Sequence, residues 1–496
     1  MAGCRLPVRR PWPGEQVLAC VDSLLASPEV GSSDKVRLES LRHRLDLRDS
    51  ATPAGLISWP QAGDQVSLDV GATAYAHSLD RTIAIGRTLS DSLDQDRLVG
   101  LRVRPRVDVL LGSDLAMWAR PHQLVELSDQ RRWAKMSDPA HGVYQTALFA
   151  KTGETGKART NDGIEGAVEF ESSLGRFTGG LTPLEWGDLP IEPLMLSGRT
   201  EPILNLQTTK RIGPIEATLL GARLIGDSWE ERRYLYAHRF AYNGPSMRLG
   251  WSEMIVSVDH DLQPLYLVPV FPYLFTEHYL GDPDNKQMDF DASWRPCPTL
   301  ELSAELFLDD LQNYFGFFSN GWGNKWALGL GLKAAGWTGS GSLDKFQATR
   351  IEPWTGTASS AIVPGAPSNV PIQFGTPLGS QLGPNSASLV WTHGQDLSES
   401  WTWTAGLSAI WKGTGLGSSL LDRNWRDSSG TWAVAKPLKQ WLGGDLIDRQ
   451  ELSAGFQWRS PGAWRLDGSA GIARESAPTR PVEWRPLASV GASWRE

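Results

Sequence analysis

The chain has 496 residues, a formal net charge of −8 and 41% hydrophobic residues, which excludes a disordered protein. The mild acidic balance argues against nucleic acid as a partner, because phosphate binding needs concentrated Lys and Arg. Three cysteines without a CxxC pair exclude a disulfide framework and disfavour a structural zinc site. No run of about 18 apolar residues occurs, so a transmembrane helix is also excluded.

The start of the chain has the pattern of a small helical module, which we place at residues 1–62. Apolar residues recur at helical spacing over 14–27, and a second such run covers 32–47 with Ser33 or Asp34 as its cap. The N-terminus carries basic residues but no apolar segment after them, so no export signal is visible in the sequence as given.

From Gln65 onward the hydrophobic period changes to two. One face of each segment is apolar, and the other is charged or rich in glycine, often over ten or more residues. A half-buried strand of a soluble sandwich also alternates, but this polar face favours a barrel with lipid outside and a polar interior. The predicted strands are 66–77, 99–117, 142–150, 164–171, 174–180, 203–209, 213–224, 234–242, 246–257, 286–294, 300–310, 325–336, 344–352, 386–392, 400–411, 448–458, 463–473 and 482–494.

Tryptophan is unusually abundant, with 23 copies, and it clusters at the ends of predicted strands. In the segment 401–411, Trp401 and Trp403 lie at one end of the apolar face and Trp411 at the other. The ten steps between the ends span about 33 Å, or roughly 25 Å along the barrel axis after tilting. This length matches an apolar belt between two aromatic girdles.

The connections alternate between short turns and long loops, as in outer-membrane barrels. We expect long extracellular loops at about 311–324, 353–385 and 412–447. The connection 118–141 does not fit the alternation, because it should be short. The sequence therefore predicts an all-β fold over residues 63–496, a transmembrane antiparallel β-barrel of 16–18 strands with eighteen favoured.

Enzyme signatures are absent: the chain has no GxSxG, HExxH or P-loop motif. His238, His260 and His278 lack the spacing of metal ligands. We therefore expect no catalytic residue, no metal site and no cofactor.

The middle of the chain, residues 237–256, 264–294 and 305–316, resembles the Wzi family of capsule-assembly outer-membrane proteins. The N-terminal stretch 9–25 is also similar to that family's helical start. The resemblance is carried by His238, Arg239, Phe240, Gly250, Glu253, Pro269, Glu277, His278, Asp284, Asn285, Asp309 and Asp310.

This resemblance implies an eighteen-stranded outer-membrane barrel whose periplasmic end is blocked by a small helical bundle. It also implies a lectin-like function, in which the protein binds surface polysaccharide and helps to anchor capsule. We interpret the charged and polar motif residues as an internal scaffold of ion pairs. The residues placed inside the barrel are His238, Arg239, Glu253, Glu277, His278, Asp284, Asn285, Asp309 and Asp310.

Tryptophans of the predicted outer loops are the better candidates for sugar binding, because an indole stacks on a pyranose at little cost in entropy. The alternative, that they fold the loops onto the barrel mouth, stays open for each of them. The candidates are Trp322, Trp354, Trp425, Trp432 and Trp441.

The sequence thus predicts a monomeric, non-catalytic protein of the cell outer membrane. Its expected partners are capsular or other extracellular polysaccharide and outer-membrane lipid, without nucleic acid. Two alternatives remain: a porin-like channel for sugars or anions, and a secreted carbohydrate-active enzyme on a soluble β fold.

Overall fold

The fold is described from a computed structural model. The described residues are 57–61, 64–79, 96–111, 114–128, 153–155, 158–225, 232–258, 262–268, 271–281, 284–311, 318–321, 323–339, 341–357, 369–373, 376–398, 400–420, 438–460, 464–478 and 480–495. The predicted helices of the module 1–62 lie at positions outside these ranges.

Eighteen antiparallel strands close into a barrel, as predicted. Each strand pairs with the next along the chain, and the last strand pairs with the first. The strands are β1 (Asp64–Leu79), β2 (Asp96–Leu111), β3 (Leu115–Ser128), β4 (Ala158–Ser172), β5 (Gly175–Thr182), β6 (Ile203–Ile212), β7 (Ile215–Leu224), β8 (Arg233–Asn243), β9 (Met247–Val258), β10 (Asn285–Cys297), β11 (Leu300–Leu311), β12 (Asn324–Ala335), β13 (Ser342–Ile351), β14 (Ser386–Asp396), β15 (Trp401–Gly413), β16 (Leu446–Arg459), β17 (Trp464–Ala477) and β18 (Arg480–Arg495).

Closure is made by β1 and β18, where Gly71–His77 runs antiparallel to Ser489–Arg495. A short strand, Ile57–Gln61, forms a hairpin with the start of β1. The sheet therefore begins within the range predicted for the helical module. A second short strand, Gly153–Thr155, pairs with β4.

One predicted strand is wrong. The range 99–117 spans parts of two paired strands, β2 and β3, which are separated by only the three residues 112–114. The misfit of a long connection at 118–141 is thereby explained, because residues 118–128 belong to β3. The predicted strand 142–150 lies outside the described residues.

The connections divide the barrel into two ends. At one end, here called the turn end, all connections are short. They are 112–114, 173–174, 213–214, 244–246, 298–299, 336–341, 397–400 and 460–463. At the other, the loop end, they are 80–95, 129–157, 183–202, 225–232, 259–284, 312–323, 352–385, 414–445 and the single short turn 478–479.

The two faces of the wall differ in polarity. Large apolar side chains point outward and are exposed, among them Leu330, Leu389, Leu407 and Leu452 at 51–55%. Trp401 and Trp403 at the turn end and Trp411 at the loop end share the outward face of β15 with Leu407, because strand side chains alternate between faces. Within the described residues, these exposed side chains are not packed against a second sheet.

None of the helices within the described ranges has the length and the apolar content needed to cross a bilayer.

Candidate functional site

A loop-end connection folds into the lumen. Residues 183–202, here called the plug, join β5 to β6 and contain a small hairpin of Glu185–Trp186 with Leu196–Ser197. Trp186, Leu194 and Met195 are at most 4% exposed. The sequence analysis missed this segment. Its only signal was the proline-punctuated apolar run LPIEPLML (189–196), which is out of place in a solvent-exposed connection.

Polar side chains on the inner wall hold the plug backbone. The Glu305 carboxylate of β11 accepts the amides of Leu194 at 2.6 Å and Met195 at 3.3 Å. Gln347 of β13 accepts the amides of residues 191 and 192, both at 3.0 Å. Arg248 of β9 pairs with Asp188. These anchors satisfy backbone groups that burial would otherwise leave unpaired.

A second segment, residues 369–373 and 376–385, packs against the plug and is here called the strap. The Ser197 amide donates to the Leu378 carbonyl at 2.8 Å, and the Ser380 hydroxyl donates to Glu192 at 2.9 Å. Arg233 of β8 donates to the Val370 carbonyl at 2.5 Å. Plug, strap and inner wall share one apolar cluster. Its members include Leu189, Met195, Leu196, Leu220, Leu235, Met254, Phe307, Ala327 and Leu378.

This cluster fills the lumen beside β6–β13 with a packed core. Protein interiors of this kind leave few voids as large as a water molecule. The described residues therefore obstruct the lumen on this side of the barrel.

Part of the predicted ion-pair scaffold lies inside the barrel. Arg239 and Asp291 form a bidentate pair with N–O distances of 2.5 and 2.8 Å, and both side chains are at most 2% exposed. Lys325 is buried and lies 2.9 Å from Asp310 and 3.8 Å from Asp309. The Asp310 side chain is half exposed at the loop end. Asn285 also points inward, where it donates to the Asn369 carbonyl of the strap at 3.2 Å.

The interior placement predicted for the other motif residues needs correction. His238 pairs with Glu253 across β8 and β9, and neighbouring Arg239 points into the lumen, so His238 and Glu253 point to the outer face. They are nevertheless buried, because residues 262–268 and 271–281 of the following connection lie over the outside of the wall. Its helix α1 (Tyr273–Leu280) carries Glu277, which is buried, and His278, which is exposed.

Asp284 also lies on the outer side of the wall, because its carboxylate accepts a hydrogen bond from the Tyr266 hydroxyl at 2.7 Å. Tyr266 lies in a short 3-10 helix, Pro264–Leu267, of the connection that covers His238 and Glu253. The motif thus serves both faces of the wall: Arg239, Asn285 and Asp309 inside, and the others outside or at the rim.

Two of the five candidate tryptophans lie within the described residues. Trp354 is 2% exposed and has a backbone φ of 70°. Its ring packs against Gly417, and its backbone amide donates a hydrogen bond to the Gly417 carbonyl at 2.8 Å. It can contact sugar only if the loops open, so its predicted role is corrected to a folding one. Trp441 is 38% exposed. Trp322, Trp425 and Trp432 lie outside the described residues.

The connections 312–323 and 414–445 meet at the loop-end rim, where the Lys439 amide donates to the Asn320 carbonyl at 2.9 Å. Their exposed apolar residues Trp441, Phe318 and Leu438, the last two 64% and 79% exposed, are here called the rim platform. The Arg350 guanidinium stacks on the Trp441 ring at 4.0 Å. Beneath it, Lys439 pairs with Glu352 at 3.0 Å. Burial lowers the pKa of Lys439, and Glu352 partly opposes this shift. The platform therefore rests on ordered charged groups.

A basic column lines the inner wall of β2 and β3, away from the plug contacts. Arg104 pairs with Glu165 at 2.9 Å and Arg106 with Asp108 at 2.5 Å, while Arg104 and Arg106 keep side-chain exposures of 36% and 32%. The column consists of Arg102, Arg104, Arg106 and Arg120, with His122 beside them. Its guanidinium groups lie on the inward face of both strands, where Arg104 and Arg106 are partly exposed among the described residues. In the same described ranges, no group of three or more His, Cys, Asp or Glu could hold a metal ion.

Comparisons with known proteins agree with the barrel architecture. No protein-family model matches the chain, and no curated protein sequence matches it. Among solved structures, Wzi of Escherichia coli, a carbohydrate-binding β-barrel of the outer membrane involved in group 1 capsule assembly, is similar with a TM-score of 0.55 and 13% identity. The match covers 95% of this chain and 91% of Wzi.

Two further similar structures are OccK7 (OpdD) of Pseudomonas aeruginosa, with 9% identity, and OccAB3 of Acinetobacter baumannii, with 8%. Each match covers 87% of this chain and 99% of the matched protein chain, with a TM-score of 0.46. The likeness to Wzi, which has the higher TM-score, shows that the chain has an outer-membrane β-barrel fold of the Wzi kind.

Proposed function

We propose that this protein is a distant member of the Wzi family that lies in the cell outer membrane, binds surface polysaccharide at its loop end and assists capsule assembly or attachment. The observation that carries this proposal is the packed core of plug and strap. A lumen obstructed by protein suits a binding protein better than a conduit. The likeness to Wzi over nearly the whole chain supports the same choice.

The rim platform is the proposed contact for sugar. An indole ring held flat by the stacked Arg350 loses little entropy when a pyranose stacks on it. Trp322, Trp425 and Trp432 belong to the same two connections, 312–323 and 414–445, and we propose them as further contacts. The protein acts as a monomer without a cofactor and catalyses no reaction.

A porin-like channel is the second candidate, and the basic column favours it. Partly exposed arginines on the inner wall would attract anions. The soluble fold that a secreted enzyme would need is contradicted by the closed barrel with its apolar exterior.

Two measurements on the full chain test the proposal. In planar bilayers we expect no large steady conductance. We expect the wild type to bind immobilised capsular polysaccharide. Trp441→Ala should bind it about tenfold more weakly, because the variant lacks one aromatic ring that stacks on the sugar. Trp337→Ala is the matched control, because Trp337 is 61% exposed but lies at the turn end. A large conductance together with no retention of polysaccharide would establish the channel instead.

A further inference from the structure

A buried histidine–glutamate pair interrupts the apolar exterior of the barrel. His238 Nε2 lies 3.0 Å from Glu253 Oε2, and both residues are fully buried on the outer face of β8 and β9. Neither imidazole nitrogen has a hydrogen-bond partner of good geometry, nor has Glu253 Oε1. Polar groups of this kind are costly against hydrocarbon, so something other than lipid must cover them.

The cover is formed by residues 262–268 and 271–281, here called the collar. The Tyr273 amide at the start of α1 donates to Glu253 at 2.9 Å, and the Tyr273 ring lies 4.4 Å from the His238 ring. The Tyr273 hydroxyl donates to the Tyr266 carbonyl at 3.0 Å. A negative carboxylate beside a helix N-terminus is a favourable arrangement. The polar pair thus fixes the collar to the outside of the wall.

The collar also replaces a missing part of the apolar belt. Between His238 and the turn end, β8 presents only Phe240 and Tyr242 outward, about 13 Å of strand at ~3.3 Å per residue. A transmembrane barrel needs an apolar band of roughly 25 Å. The collar supplies the remainder through Phe271, Phe275 and Tyr279, which are 47%, 68% and 83% exposed. Phe275 and Tyr279 are four residues apart on α1 and therefore share one side of the helix, whereas Phe271 precedes it.

Below the collar lies an apolar groove of about 540 Å³ on the same outer surface. Its walls are aromatic and aliphatic side chains, and the rings of Phe240 and Trp251 stack at 5.6 Å on the side nearest the collar. The small residues Ala292 and Ala304 leave the space open. The volume is within the range of small-molecule sites, roughly 300–1,000 Å³.

We propose that collar and groove form a lipid site: an acyl chain of an outer-membrane lipid lies in the groove, and the exposed collar side chains Phe271, Phe275 and Tyr279 lie among neighbouring chains. The continuity of groove, collar and apolar belt on one surface identifies the occupant as lipid. The inference rests on the proposed membrane location but not on polysaccharide binding.

The first test is native mass spectrometry of the full chain in mild detergent with added phosphatidylethanolamine. We expect the wild type to retain one lipid and Ala304→Phe, which fills the groove, to retain it about tenfold less. Ala470→Phe is the control, since Ala470 is outward and exposed on β17 but far from the groove. Equal retention by the wild type and Ala304→Phe, or no retention by either, would overturn the acyl-chain site.

The second test places nitroxide labels on a chain whose cysteines are replaced by serine, in phosphatidylcholine vesicles. We expect oxygen, which dissolves in the bilayer, to collide with a label at Phe275→Cys as it does with one at Leu407→Cys on the belt. A water-soluble nickel chelate should not reach either of these labels. It should reach a label at Leu416→Cys, in a loop-end connection. A Phe275→Cys label that nickel reaches, or that neither reagent reaches because protein covers it, overturns the inference. If nickel also reaches Leu407→Cys, the membrane location itself fails.

Discussion

At the scale of single residues, the inner wall contains buried charged groups that are stabilised by their neighbours. Arg239 and Asp291 satisfy each other bidentately, with Ser252 accepting a further Arg239 hydrogen bond at 2.8 Å. Removing one partner of such a buried pair leaves an uncompensated charge, which costs more than the intact pair contributes.

Arg239→Met should therefore destabilise the barrel by about 3–5 kcal/mol. The double variant Arg239→Met/Asp291→Leu should recover most of this loss, because no isolated charge remains. Urea unfolding in detergent micelles, followed by tryptophan fluorescence, measures both free energies of unfolding. A double variant as unstable as the single one would show that the pair contributes through packing instead.

Gly250 leaves the space that this pair occupies. A Cβ at position 250 would overlap the Asp291 carboxylate and lie 2.5 Å from Arg239, whereas a Cβ at Gly394 would meet nothing within 4 Å. We expect Gly250→Ala to lower the free energy of unfolding by about 1–3 kcal/mol through overpacking. Gly394→Ala should leave it nearly unchanged in the same urea titration, and similar losses in both would contradict this explanation.

At the scale of elements, the plug and the collar are connections fixed to opposite faces of the wall. The plug depends on backbone hydrogen bonds to strand side chains more than 100 residues away, such as Glu305. The collar depends on Glu253, His238 and Asp284. Each element can therefore loosen while the strands stay paired.

Glu305→Ala should loosen the plug, because it leaves two buried amides without an acceptor at about 1–3 kcal/mol each. Glu305→Gln keeps an acceptor oxygen and should behave nearly as the wild type. Planar-bilayer recordings should show brief opening events for Glu305→Ala only. Silent recordings for both variants would mean that the strap alone blocks the lumen.

The collar should be sensitive to alkali. Burial, and then the hydrogen bond to Asp284, raises the pKa of Tyr266, and burial also raises the pKa of Tyr273. Since an unperturbed tyrosine has a pKa of about 10, the stability from these phenols is present below that pH and is lost as pH rises through the raised values. Tyrosinate absorbance of the wild type should show phenols that ionise well above pH 10, and Tyr266→Phe should show one fewer of them. Ionisation of all tyrosines near pH 10 would contradict the burial.

At the scale of the whole molecule, closure gives every strand two neighbours and separates an apolar exterior from a polar interior. Leu407 on the middle of β15 is outward and 51% exposed. Ser469 on β17 is inward, where its hydroxyl lies 2.7 Å from that of Ser489. The two positions differ in the medium that their side chains meet.

Leu407→Arg should destabilise the protein in lipid by about 2–4 kcal/mol, the cost of a cation near the bilayer midplane. Ser469→Arg should cost far less, because its guanidinium reaches the wet lumen. Unfolding in phospholipid vesicles measures both changes. Equal costs would show that the outward face of β15 does not meet lipid.

Much of the architecture was predictable from local pattern. The alternation of residues 401–411 defined the outward face of β15 and its girdle tryptophans, since side chains alternate regardless of tertiary context. The predicted strand 99–117 merged parts of two strands, because apolar residues resume at Leu115 directly after the three-residue connection 112–114. The plug was missed, because its burial depends on partners such as Gln347 that are distant in sequence.

The sequence by itself determined that this chain builds a closed wall with an apolar and a polar face, because a period of two residues needs no distant contacts. Only the tertiary structure decided which face each motif residue occupies and what fills the lumen. A shift of one residue in strand register moves a side chain such as His238 from one face to the other. Long-range packing of plug, strap and collar cannot be read from local spacing.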